Sequence, residues 1–461
     1  MKSICIAGTQ SGCGKTTVTM AVLGALSKKM SVQPFKVGPD YIDPMFHSYI
    51  TGKKCRNLDS YLMEPVHIKY LFEHNMKDAD IGVIEGVMGL FDGADIGSDI
   101  GTTASIAKLT KTPVILVVDG SKVAASIAAT VQGFQNFDPK LSIAGIICNK
   151  VGGEGHYQLL KEAIEYYCDM EVLGYLSKEA KINLPERHLG LVPTDELENL
   201  EARFEHLADI ASQTIDLERL IQLAKGQAVH TPHTMHTPHA KKKKMPKLRI
   251  AYAKDEAFHF YYEDNLDFFR EQGVELISFS PIHDQELPKD IHGLIIGGGF
   301  PEIFAEKLAK NSQMKRSLRT LLQSGLPYYA ECGGLMYLCE KLYDLEGKEH
   351  SMVGWFYGET SMQSTLQNFG YATLTLARDC IFGEAGDSIA VHEFHRSKAR
   401  IQEEKIYALH KEKKGAITRQ WSCGYGKGNG VAAYAHMHFY ANLDFAEAFI
   451  KSCLQYKEKV L

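Results

Sequence analysis

One cysteine stands in a sequence context that suits a nucleophile. Cys332 follows a short apolar run at residues 326–330 and precedes Gly333, Gly334 and a helical pattern. Small residues let the chain turn sharply from strand to helix, so that the thiol is presented at the edge of a sheet. The start of the following helix stabilises the thiolate, which is the reactive form. Three other cysteines fall within apolar or helical patterns and are predicted to be core residues: Cys5, Cys148 and Cys339.

A cysteine nucleophile needs a base and groups that stabilise the oxyanion. His436 and His438 follow an apolar strand near the end of the chain, and either could serve as the base. Gly298 and Gly299 lie in a glycine turn after another apolar strand, and Gly333 follows the cysteine directly. Their backbone N–H groups are candidates for an oxyanion hole. These parts together predict a thiol acyl-transfer site.

A second reactive segment lies near the N-terminus, where an apolar strand leads into GTQSGCGKTT at residues 8–17. Glycines there allow backbone N–H groups to point at phosphate oxygens, and the helix that follows adds its partial positive charge. Lys15 would reach the β- and γ-phosphates of ATP, and Thr16 would bind Mg²⁺. The regular P-loop spacing places glycine at position 9, so Thr9 makes this loop a variant. The predicted ATP-binding residues of the loop are Gly8, Thr9, Gly12, Gly14, Lys15, Thr16 and Thr17.

Polar side chains follow further strands of the same region. Glu85 ends the apolar segment IGVIE, where an acidic residue can hold Mg²⁺ or its water shell. Asp40 and Asp43 lie in KVGPDYIDP, at a strand end where ligands of open α/β sheets gather. Asp40 is predicted as a second metal ligand and Asp43 as a substrate-binding residue, with turn capping as the competing explanation for both. Asn149 ends a later strand and is predicted to bind the adenine edge, although a strand-end turn asparagine explains its position nearly as well.

The elements that must position these residues predict two α/β domains. In residues 3–190, short apolar runs alternate with helix-length segments, which is typical of a parallel sheet covered on both faces. Similar runs resume at residue 248, and shorter alternating strands after residue 352 indicate an antiparallel addition. The predicted strands of the first domain are residues 4–7, 32–37, 81–84, 113–118, 143–148 and 172–176.

The two regions are separated by a segment with nothing to bury. HTPHTMHTPHAKKKKMPK, residues 230–247, consists largely of proline, histidine and lysine and is predicted to be a linker. Its four histidines could suggest a metal site, but no fixed scaffold positions them. The predicted organisation is an ATP-binding, carboxylate-activating domain at 1–228, a linker at 229–247 and a second domain at 248–461.

Length and composition exclude several classes of protein. At 461 residues the chain is too long for one hydrophobic core, and its 45% hydrophobic and 23% charged content is ordinary for a globular protein. A net charge of −5 gives no basic field for nucleic acid. No apolar run approaches the ~18 residues of a membrane span, and no signal-peptide pattern is seen. Ten scattered cysteines without CxxC pairs indicate reduced thiols, so we expect a cytoplasmic protein.

The combination of motifs resembles one family. GTQSGCGKTT, KVGPDYIDP and IEGVMGLFDG, together with GGGFPE, AECGGLMYL, HEFHRS and YAHMHF, resemble the motifs of cobyrinate a,c-diamide synthases. The resemblance covers nearly the whole chain apart from the linker. KVGPDYIDP distinguishes the chain from the sister cobyric acid synthases. The C-terminal domain distinguishes it from dethiobiotin synthetase, which has a similar phosphate loop.

The resemblance implies a fold and a reaction. It implies two doubly wound α/β domains, a P-loop parallel-sheet domain followed by a class I glutamine amidotransferase-like domain. The first would use ATP and Mg²⁺ to phosphorylate the a- and c-acetate carboxylates of cobyrinate, a corrinoid. The second would hydrolyse glutamine with a Cys–His pair and supply ammonia to the acyl phosphate. A homodimer is one assembly that this family allows.

The resemblance also assigns residues. His436 matches the catalytic histidine best, whereas His438 lies where many class I enzymes have the third, acidic member, and it stays an alternative base. The segment HEFHRS would lie near the tetrapyrrole, whose carboxylates could pair with His392, His395 and Arg396. A polar strand on the domain surface is the competing explanation for these three residues.

Two alternative functions remain open at the level of sequence. The same amidation could act on nickel-sirohydrochlorin, because the motifs do not separate the two tetrapyrroles firmly. A P-loop switch protein of the partitioning type, which binds partners according to its nucleotide, belongs to a different class. The Cys332 segment and the lack of a basic or amphipathic membrane tail count against that alternative.

Overall fold

The computed structural model describes residues 1–180, 186–187, 190–191, 199–224 and 247–460. The chain divides into two compact units, Met1–Met235 and His236–Leu461. The division falls at residues outside the described ranges, as do the four histidines of the predicted linker and nearly all of that segment. The domain limits 1–228 and 248–461 therefore stay predictions, whereas the presence of two α/β units is confirmed.

The first unit contains a seven-stranded sheet and a two-stranded one. Its strands are β1 Ser3–Gly8, β2 Val32–Val37, β3 Arg56–Leu58, β4 Ile81–Glu85, β5 Val114–Asp119, β6 Ile143–Val151, β7 Val172–Ser177, β8 Glu186–Arg187 and β9 Gly190–Leu191. Its helices are α1 Lys15–Ser27, α2 Asp43–Thr51, α3 Pro65–Asn75, α4 Thr103–Thr110, α5 Ser126–Phe137, α6 Glu154–Cys168, α7 Leu200–Thr214 and α8 Leu217–Leu223.

The seven-stranded sheet has the order β3-β2-β4-β1-β5-β6-β7, and every neighbouring pair in it is parallel. All residues of β1, β2 and β4 are buried, as expected for strands covered on both faces. The six predicted strands are found, β2 with the predicted ends and the others with ends that differ by at most three residues. β2, β3 and β4 lie on one side of β1 in the sheet, and β5, β6 and β7 lie on the other. Ligand-binding loops therefore meet at the carboxyl ends of the strands, where the strand order reverses.

The second unit has more strands than helices. Its strands are β10 Leu248–Ala253, β11 Phe258–Phe260, β12 Val274–Phe279, β13 Gly293–Ile296, β14 Gly298–Gly299, β15 Tyr328–Glu331, β16 Cys339–Tyr343, β17 Glu349–Ser351, β18 Phe356–Leu376, β19 Ser388–Ile401, β20 Lys405–Lys413, β21 Ala416–Gly426, β22 Gly430–Ala433 and β23 His436–Met437. Its helices are α9 Glu263–Glu271, α10 Ala305–Lys310, α11 Ser312–Gln323, α12 Gly333–Leu338 and α13 Leu443–Val460.

Twelve of these strands form one mixed sheet, whose main path is β12-β10-β13-β15-β22-β21-β20-β18-β16-β17. The pairs from β12 to β22 are parallel, and those from β22 to β18 are antiparallel, which confirms the predicted antiparallel addition. β19 pairs with both β18 and β23, and it places His392 opposite His436. The antiparallel strands are longer than predicted, because β18 alone has 21 residues.

The state of the cysteines and the lengths of the helices can be compared with what the sequence composition predicted. All ten cysteines, which lie within the described residues, are free thiols. Cys5, Cys148 and Cys339 are fully buried, as predicted, and burial raises the pKa of Cys5 and Cys148 to about 12. Among the residues that the structure describes, no helix is long and apolar enough to cross a membrane.

Candidate active sites

The phosphate loop runs from the end of β1 to the first turn of α1, and this stretch contains the seven loop residues predicted to bind ATP. Gly12 and Gly14 have φ angles of 77° and 88°, in the left-handed region that favours glycine. A side chain at Gly8 would bring its Cβ to 2.4 Å from the sulfur of Cys13. The variant Thr9 continues the direction of the strand, since its N–H donates to the carbonyl of Val117 at 3.2 Å.

Two residues near the end of β6 hold this loop in place. The amide nitrogen of Asn149 donates to the carbonyl of Cys13 at 2.9 Å, and Lys150 donates to the carbonyl of Gly12 at 2.6 Å. Lys150 also pairs with Asp119 at 2.7 Å. Burial raises the pKa of Asp119, but the hydrogen bonds from Lys150 and Ser121 together with the charge of Lys150 outweigh burial, and the net direction is down. Asn149 thus contacts the loop backbone, and its binding of adenine stays a prediction.

A buried lysine that the sequence argument did not assign to the site lies at the centre of the predicted metal ligands. The ammonium of Lys36 is 2.5 Å from Asp43, 3.1 Å from Glu85 and 3.5 Å from Asp40. Its side chain is only 3% exposed. The register of β2 and β4 places Lys36 directly beside Glu85, which brings the two side chains together. A lysine near the end of a strand, four residues before an aspartate, is the signal that could have revealed this cluster.

Glu85 connects the cluster to the phosphate loop. Its Oε1 accepts a hydrogen bond from the hydroxyl of Thr16 at 2.6 Å, and its Oε2 contacts Nε2 of His47 closely. The Thr16 hydroxyl is also 3.4 Å from Asp43. The structure therefore brings together the three residues predicted to bind metal, Thr16, Asp40 and Glu85.

These oxygen donors fit Mg²⁺ with a limited number of protein ligands. In the described ranges no group of three His, Cys, Asp or Glu side chains is placed to hold a metal ion alone. Mg²⁺ usually keeps several waters and binds one or two carboxylates together with substrate phosphates. Thr16 and Glu85 provide such a partial site next to the phosphate loop.

The charges of the cluster shift the pKa values in different directions. Burial raises the pKa of Asp43 to about 7, and the neighbouring Asp40 adds to the rise. Burial also opposes ionisation of Glu85, but Lys36 and His47 outweigh it and lower its pKa. Burial disfavours the charge of Lys36, yet Asp43 and Glu85 raise its pKa well above the usual value. The lysine is therefore charged at neutral pH, and Asp43 is the carboxyl most ready to hold a proton.

The competing explanation, turn capping, has structural support for Asp40 and, within the described ranges, none for Asp43. Oδ1 of Asp40 accepts from the N–H groups of Ile42 at 2.8 Å and Asp43 at 3.3 Å, which is turn capping. Its other oxygen faces Lys36. Asp43 is the first residue of α2 and contacts both Lys36 and Thr16. It borders the phosphate loop, and its predicted binding of the tetrapyrrole stays a prediction.

In the second unit, Cys332 lies on a sharp turn between β15 and α12. Its φ and ψ angles are 46° and −99°, which a residue other than glycine rarely adopts. The turn is fixed because the N–H of Cys332 donates to the carbonyl of Ala433 at 2.7 Å. A Cβ on Gly334 would lie 2.3 Å from the carbonyl oxygen of Ile296, so the turn requires glycine there. The predicted nucleophile turn is thus present.

His436 is the histidine that contacts Cys332. It is 1% exposed and hydrogen-bonds with both Cys332 and Glu331. Its Nδ1 is 3.3 Å from Oε2 of Glu331. Burial opposes its charge, but these two partners outweigh burial and raise its pKa to about 10. Glu331, the residue immediately before the cysteine, was not assigned to the site from sequence, and its position in the motif AECGG was the available signal.

The three glycines predicted for the oxyanion hole surround this pair. A Cβ on Gly298 would be 2.9 Å from Cε1 of His436. A Cβ on Gly333 would be 3.2 Å from the backbone nitrogen of Gly299. Only residues without side chains allow such close approach. Their role in stabilising an oxyanion stays a prediction.

His438 and most of the HEFHRS segment are buried in the same unit, whereas Arg396 is half-buried. His438 is fully buried, and its ring is 4.7 Å from that of Tyr262. His392 and His395 are also buried, and the ring of His395 stacks on Tyr434 at 3.8 Å. Arg396 donates to the carbonyl of Ser364 at 2.9 Å. The structure brings His392 next to His436, and contact of these residues with a tetrapyrrole stays a prediction.

Each of the two units contains a region that matches a known domain family. Residues 4–192 match the CobQ/CobB/MinD/ParA nucleotide binding domain. Residues 249–443 match the CobB/CobQ-like glutamine amidotransferase domain. A P-loop nucleotide-binding domain and an amidotransferase domain in one chain define a ligase that forms amides with glutamine as the nitrogen donor.

Relatives that match over nearly their whole length identify the family. The cobyrinate a,c-diamide synthase of Listeria monocytogenes is 49% identical over 448 residues, which cover 96% of this chain and 97% of that protein. The enzyme of the same name from Caldanaerobacter subterraneus is 43% identical, with coverage of 98% and 99%. That from Salmonella typhimurium is 43% identical, with 94% of each chain covered. The chain therefore belongs to the cobyrinate a,c-diamide synthase family, which confirms the resemblance seen in its motifs.

Proposed function

We propose that the protein catalyses the ATP- and glutamine-dependent amidation of the a- and c-acetate carboxylates of cobyrinate, through acyl phosphates, in cobalamin biosynthesis. One observation carries the proposal: a phosphate loop beside a carboxylate cluster and a Cys–His pair on a strand–helix turn occur in the same chain. A carboxylate is a poor acyl donor, so phosphorylation is needed to give it a leaving group. Glutamine hydrolysis then provides the nitrogen.

At the phosphate site, the residues of this chain bind and orient. The loop N–H groups and Lys15 hold the phosphates, and Thr16 with Glu85 would hold Mg²⁺, which neutralises charge on the phosphate oxygens. A carboxylate oxygen of the substrate attacks the γ-phosphorus of ATP, the bond to the β-phosphate oxygen breaks, and ADP leaves. Ammonia then attacks the acyl carbon, and inorganic phosphate departs with formation of the amide.

At the thiol site, Cys332 acts as nucleophile and His436 as base. The proton of the thiol passes to His436 while sulfur bonds to the amide carbon of glutamine. His436 returns this proton to the departing nitrogen, so that ammonia leaves and a thioester remains. Water then attacks the thioester and releases glutamate. The backbone N–H groups near Gly298, Gly299 and Gly333 stabilise the oxyanion in both steps.

The identity of the tetrapyrrole substrate is the most specific part of the proposal. The names of the relatives favour cobyrinate, and nickel-sirohydrochlorin is the second tetrapyrrole to test. A switch protein that only alternates between nucleotide states would need neither the Cys332 turn nor His436. Production of glutamate from glutamine by the protein separates this third possibility from the two ligase functions.

The test is a direct assay of amide formation. The protein is incubated with ATP, Mg²⁺, glutamine labelled with nitrogen-15 in its amide, and either tetrapyrrole, and the products are examined by mass spectrometry. We expect two labelled amides on cobyrinate and ADP formed in equal amount to amide. Label in nickel-sirohydrochlorin alone would assign the other substrate. ATP hydrolysis without label in either tetrapyrrole would overturn the proposed ligase function.

A further inference from the structure

The carboxylate of Glu331 contacts the thiol site with its two oxygens in separate roles. Oε2 is 3.3 Å from Nδ1 of His436. Oε1 accepts from the N–H of Met437 at 2.9 Å and also from the hydroxyl of Tyr329. Glu331 is 7% exposed, and it is the last residue of β15, immediately before Cys332. One oxygen thus anchors the backbone beside His436, and the other faces its ring.

We propose that Glu331 is the third, acidic member of the thiol site, a positioning residue that orients His436 and stabilises its charged form. The inference rests on the thiol half of the proposed function. It accounts for the histidine at position 438, where many class I enzymes have the acidic member. Here the carboxylate comes from the strand that precedes the nucleophile, and it reaches Nδ1 of His436.

The geometry fixes the tautomer as well as the orientation of the ring. Because Nδ1 faces a carboxylate, it carries a proton, and Nε2 is left for the thiol of Cys332. When Nε2 takes the thiol proton, the resulting positive ring is bonded to a negative oxygen. A charge-assisted hydrogen bond of this kind is about twice as strong as a neutral one. Glu331 therefore favours the thiolate–imidazolium pair over the neutral pair.

Other titratable groups near this pair remain neutral. His392 faces His436 from β19, and burial, followed by the charge of His436, lowers its pKa to about 3. Tyr261 and Tyr407 lie near enough to Glu331 for its charge to act on them. Burial raises the pKa of both phenols, so they carry no charge at neutral pH. Cys332, His436 and Glu331 are thus the groups whose charges control the pH response of the thiol.

The test compares variants that separate charge from anchoring. Glu331→Gln keeps an oxygen to accept from Met437 and Tyr329, but it replaces the charged oxygen that faces His436 with an amide nitrogen. Tyr329→Phe is the matched control, because it removes a contact to the anchoring oxygen only. The rate at which iodoacetamide alkylates Cys332 is followed against pH by quantifying the peptide that contains Cys332. Cys332→Ala gives the background from other cysteines.

We expect alkylation of Cys332 at pH 7 to be about tenfold slower in Glu331→Gln than in the native protein, with the difference shrinking at higher pH. The Tyr329→Phe curve should stay close to the native one. Glu331→Asp, which keeps the charge, should lie nearer to the native protein than Glu331→Gln does. Glutaminase kcat should fall with the same ranking while KM for glutamine changes little.

Two results would overturn the proposal. One is a Glu331→Gln alkylation curve that superimposes on the native curve. The other is an equal shift in folded Glu331→Asp and Glu331→Gln, which would mean that Glu331 only anchors the backbone. If Glu331→Gln does not fold, Glu331→Asp decides: its shorter side chain lengthens the contact with His436, so alkylation at pH 7 should be slower than in Tyr329→Phe, and superimposed curves of these two variants would overturn the proposal. Since alkylation needs neither ATP nor tetrapyrrole, its outcome is independent of the proposed ligase reaction.

Discussion

The phosphate site and the thiol site place their charged groups in different ways. At the phosphate site, three carboxylates share one buried lysine, and Lys36, Asp40 and Asp43 come from a single segment of nine residues. At the thiol site, one carboxylate serves one histidine, and His436 and Glu331 are 105 residues apart in sequence. The first cluster is built largely by a local motif, and the second by the pairing of distant strands.

The two sites therefore place different requirements on the fold. The phosphate site must hold several negative groups near further negative phosphates, so its buried lysine offsets repulsion that would otherwise destabilise the unit. The thiol site must move one proton between two atoms, so orientation of a single ring is decisive. Variants should therefore have broad effects at the phosphate site and selective effects at the thiol site.

The largest expected effect comes from Lys15→Ala. Because this lysine is the loop residue that reaches the phosphates, its loss should reduce amidation roughly a thousandfold with either glutamine or ammonium as nitrogen source. Circular dichroism provides the control that the fold survives. Near-normal ATP-dependent amidation in this variant would contradict the role of the loop.

Cys332→Ala should instead separate the two nitrogen sources. Without the thiol no thioester forms, so glutamine-dependent amidation and glutaminase activity should both disappear. Ammonium at high concentration should still support amidation, increasingly so as pH rises, because ammonia is the nucleophile. Product formed from each source at saturating ATP is the measurement. Equal loss of both activities in a folded variant would show that the two sites are not separable.

The histidines near the end of the chain give a narrower comparison. His436→Ala should lower glutamine-dependent amidation by roughly a hundredfold or more, since it removes the base that contacts Cys332. His438→Ala should cause a smaller loss, because His438 packs against Tyr262 and Tyr440 in the interior. Ammonium-dependent amidation is the control for both. A larger defect in His438→Ala would reverse the assignment of the base.

Sequence predicted the phosphate site well because its signals are local. The glycine loop, the strand before it and the helix after it are contiguous, and Glu85 ends a strand with an obvious apolar pattern. Lys36 was not assigned to the site, although it lies in the quoted motif. A lysine in a strand looks like a solvent-exposed residue, and only the register of β2 and β4 brings it beside Glu85.

At the thiol site, sequence identified Cys332 as the candidate nucleophile but did not assign Glu331 to the site. Cys332 is marked by its glycines, whereas the position of Glu331 beside His436 depends on β22 pairing with β15 and on the chain after β22 placing His436 and Met437 near the end of β15. Periodicity cannot give this arrangement. The same limitation applies to HEFHRS. Its polar residues favoured a surface strand or a substrate contact. Pairing of β19 with β23 instead buries His392 beside His436.

Substitution of Lys36, at the phosphate site, should have a smaller effect than the substitutions above. Lys36→Met would leave three carboxylates without their shared cation, and removal of one partner from a buried ion pair costs about 3–5 kcal/mol. We expect lower thermal stability of the first unit and a loss of amidation from both nitrogen sources, with glutaminase activity retained. Lys36→Arg, which keeps the charge, is the matched control. Native-like stability of Lys36→Met would show that the carboxylates do not depend on this lysine.

The smallest expected effect concerns the proton of Asp43. Burial and the nearby Asp40 raise its pKa from 3.8 to about 7, so the folded protein binds this proton more tightly than the unfolded chain. The stability that this group contributes is therefore complete below pH 4 and is lost as pH rises through about 7. Glu85 acts in the opposite sense, because its lowered pKa contributes stability that is lost only in acid. Between pH 5.5 and 8, ionisation of Asp43 should thus lower the free energy of unfolding of the first unit as pH rises.

Asp43→Asn tests this sign, since an amide has no proton to lose. Each unit of pKa shift corresponds to about 1.4 kcal/mol, and because the carboxylates are coupled we expect roughly 1–2 kcal/mol of change between the two pH values. Calorimetric unfolding of both proteins in the presence of a chelator, at pH 5.5 and pH 8, gives the difference directly. Both tryptophans, Trp355 and Trp421, lie in the second unit, so their fluorescence provides an internal control that should not respond to the substitution. If the difference in unfolding free energy between the native protein and Asp43→Asn is the same at both pH values, the proton is held elsewhere in the cluster. The electrostatic difference drawn here between the phosphate site and the thiol site would then be wrong.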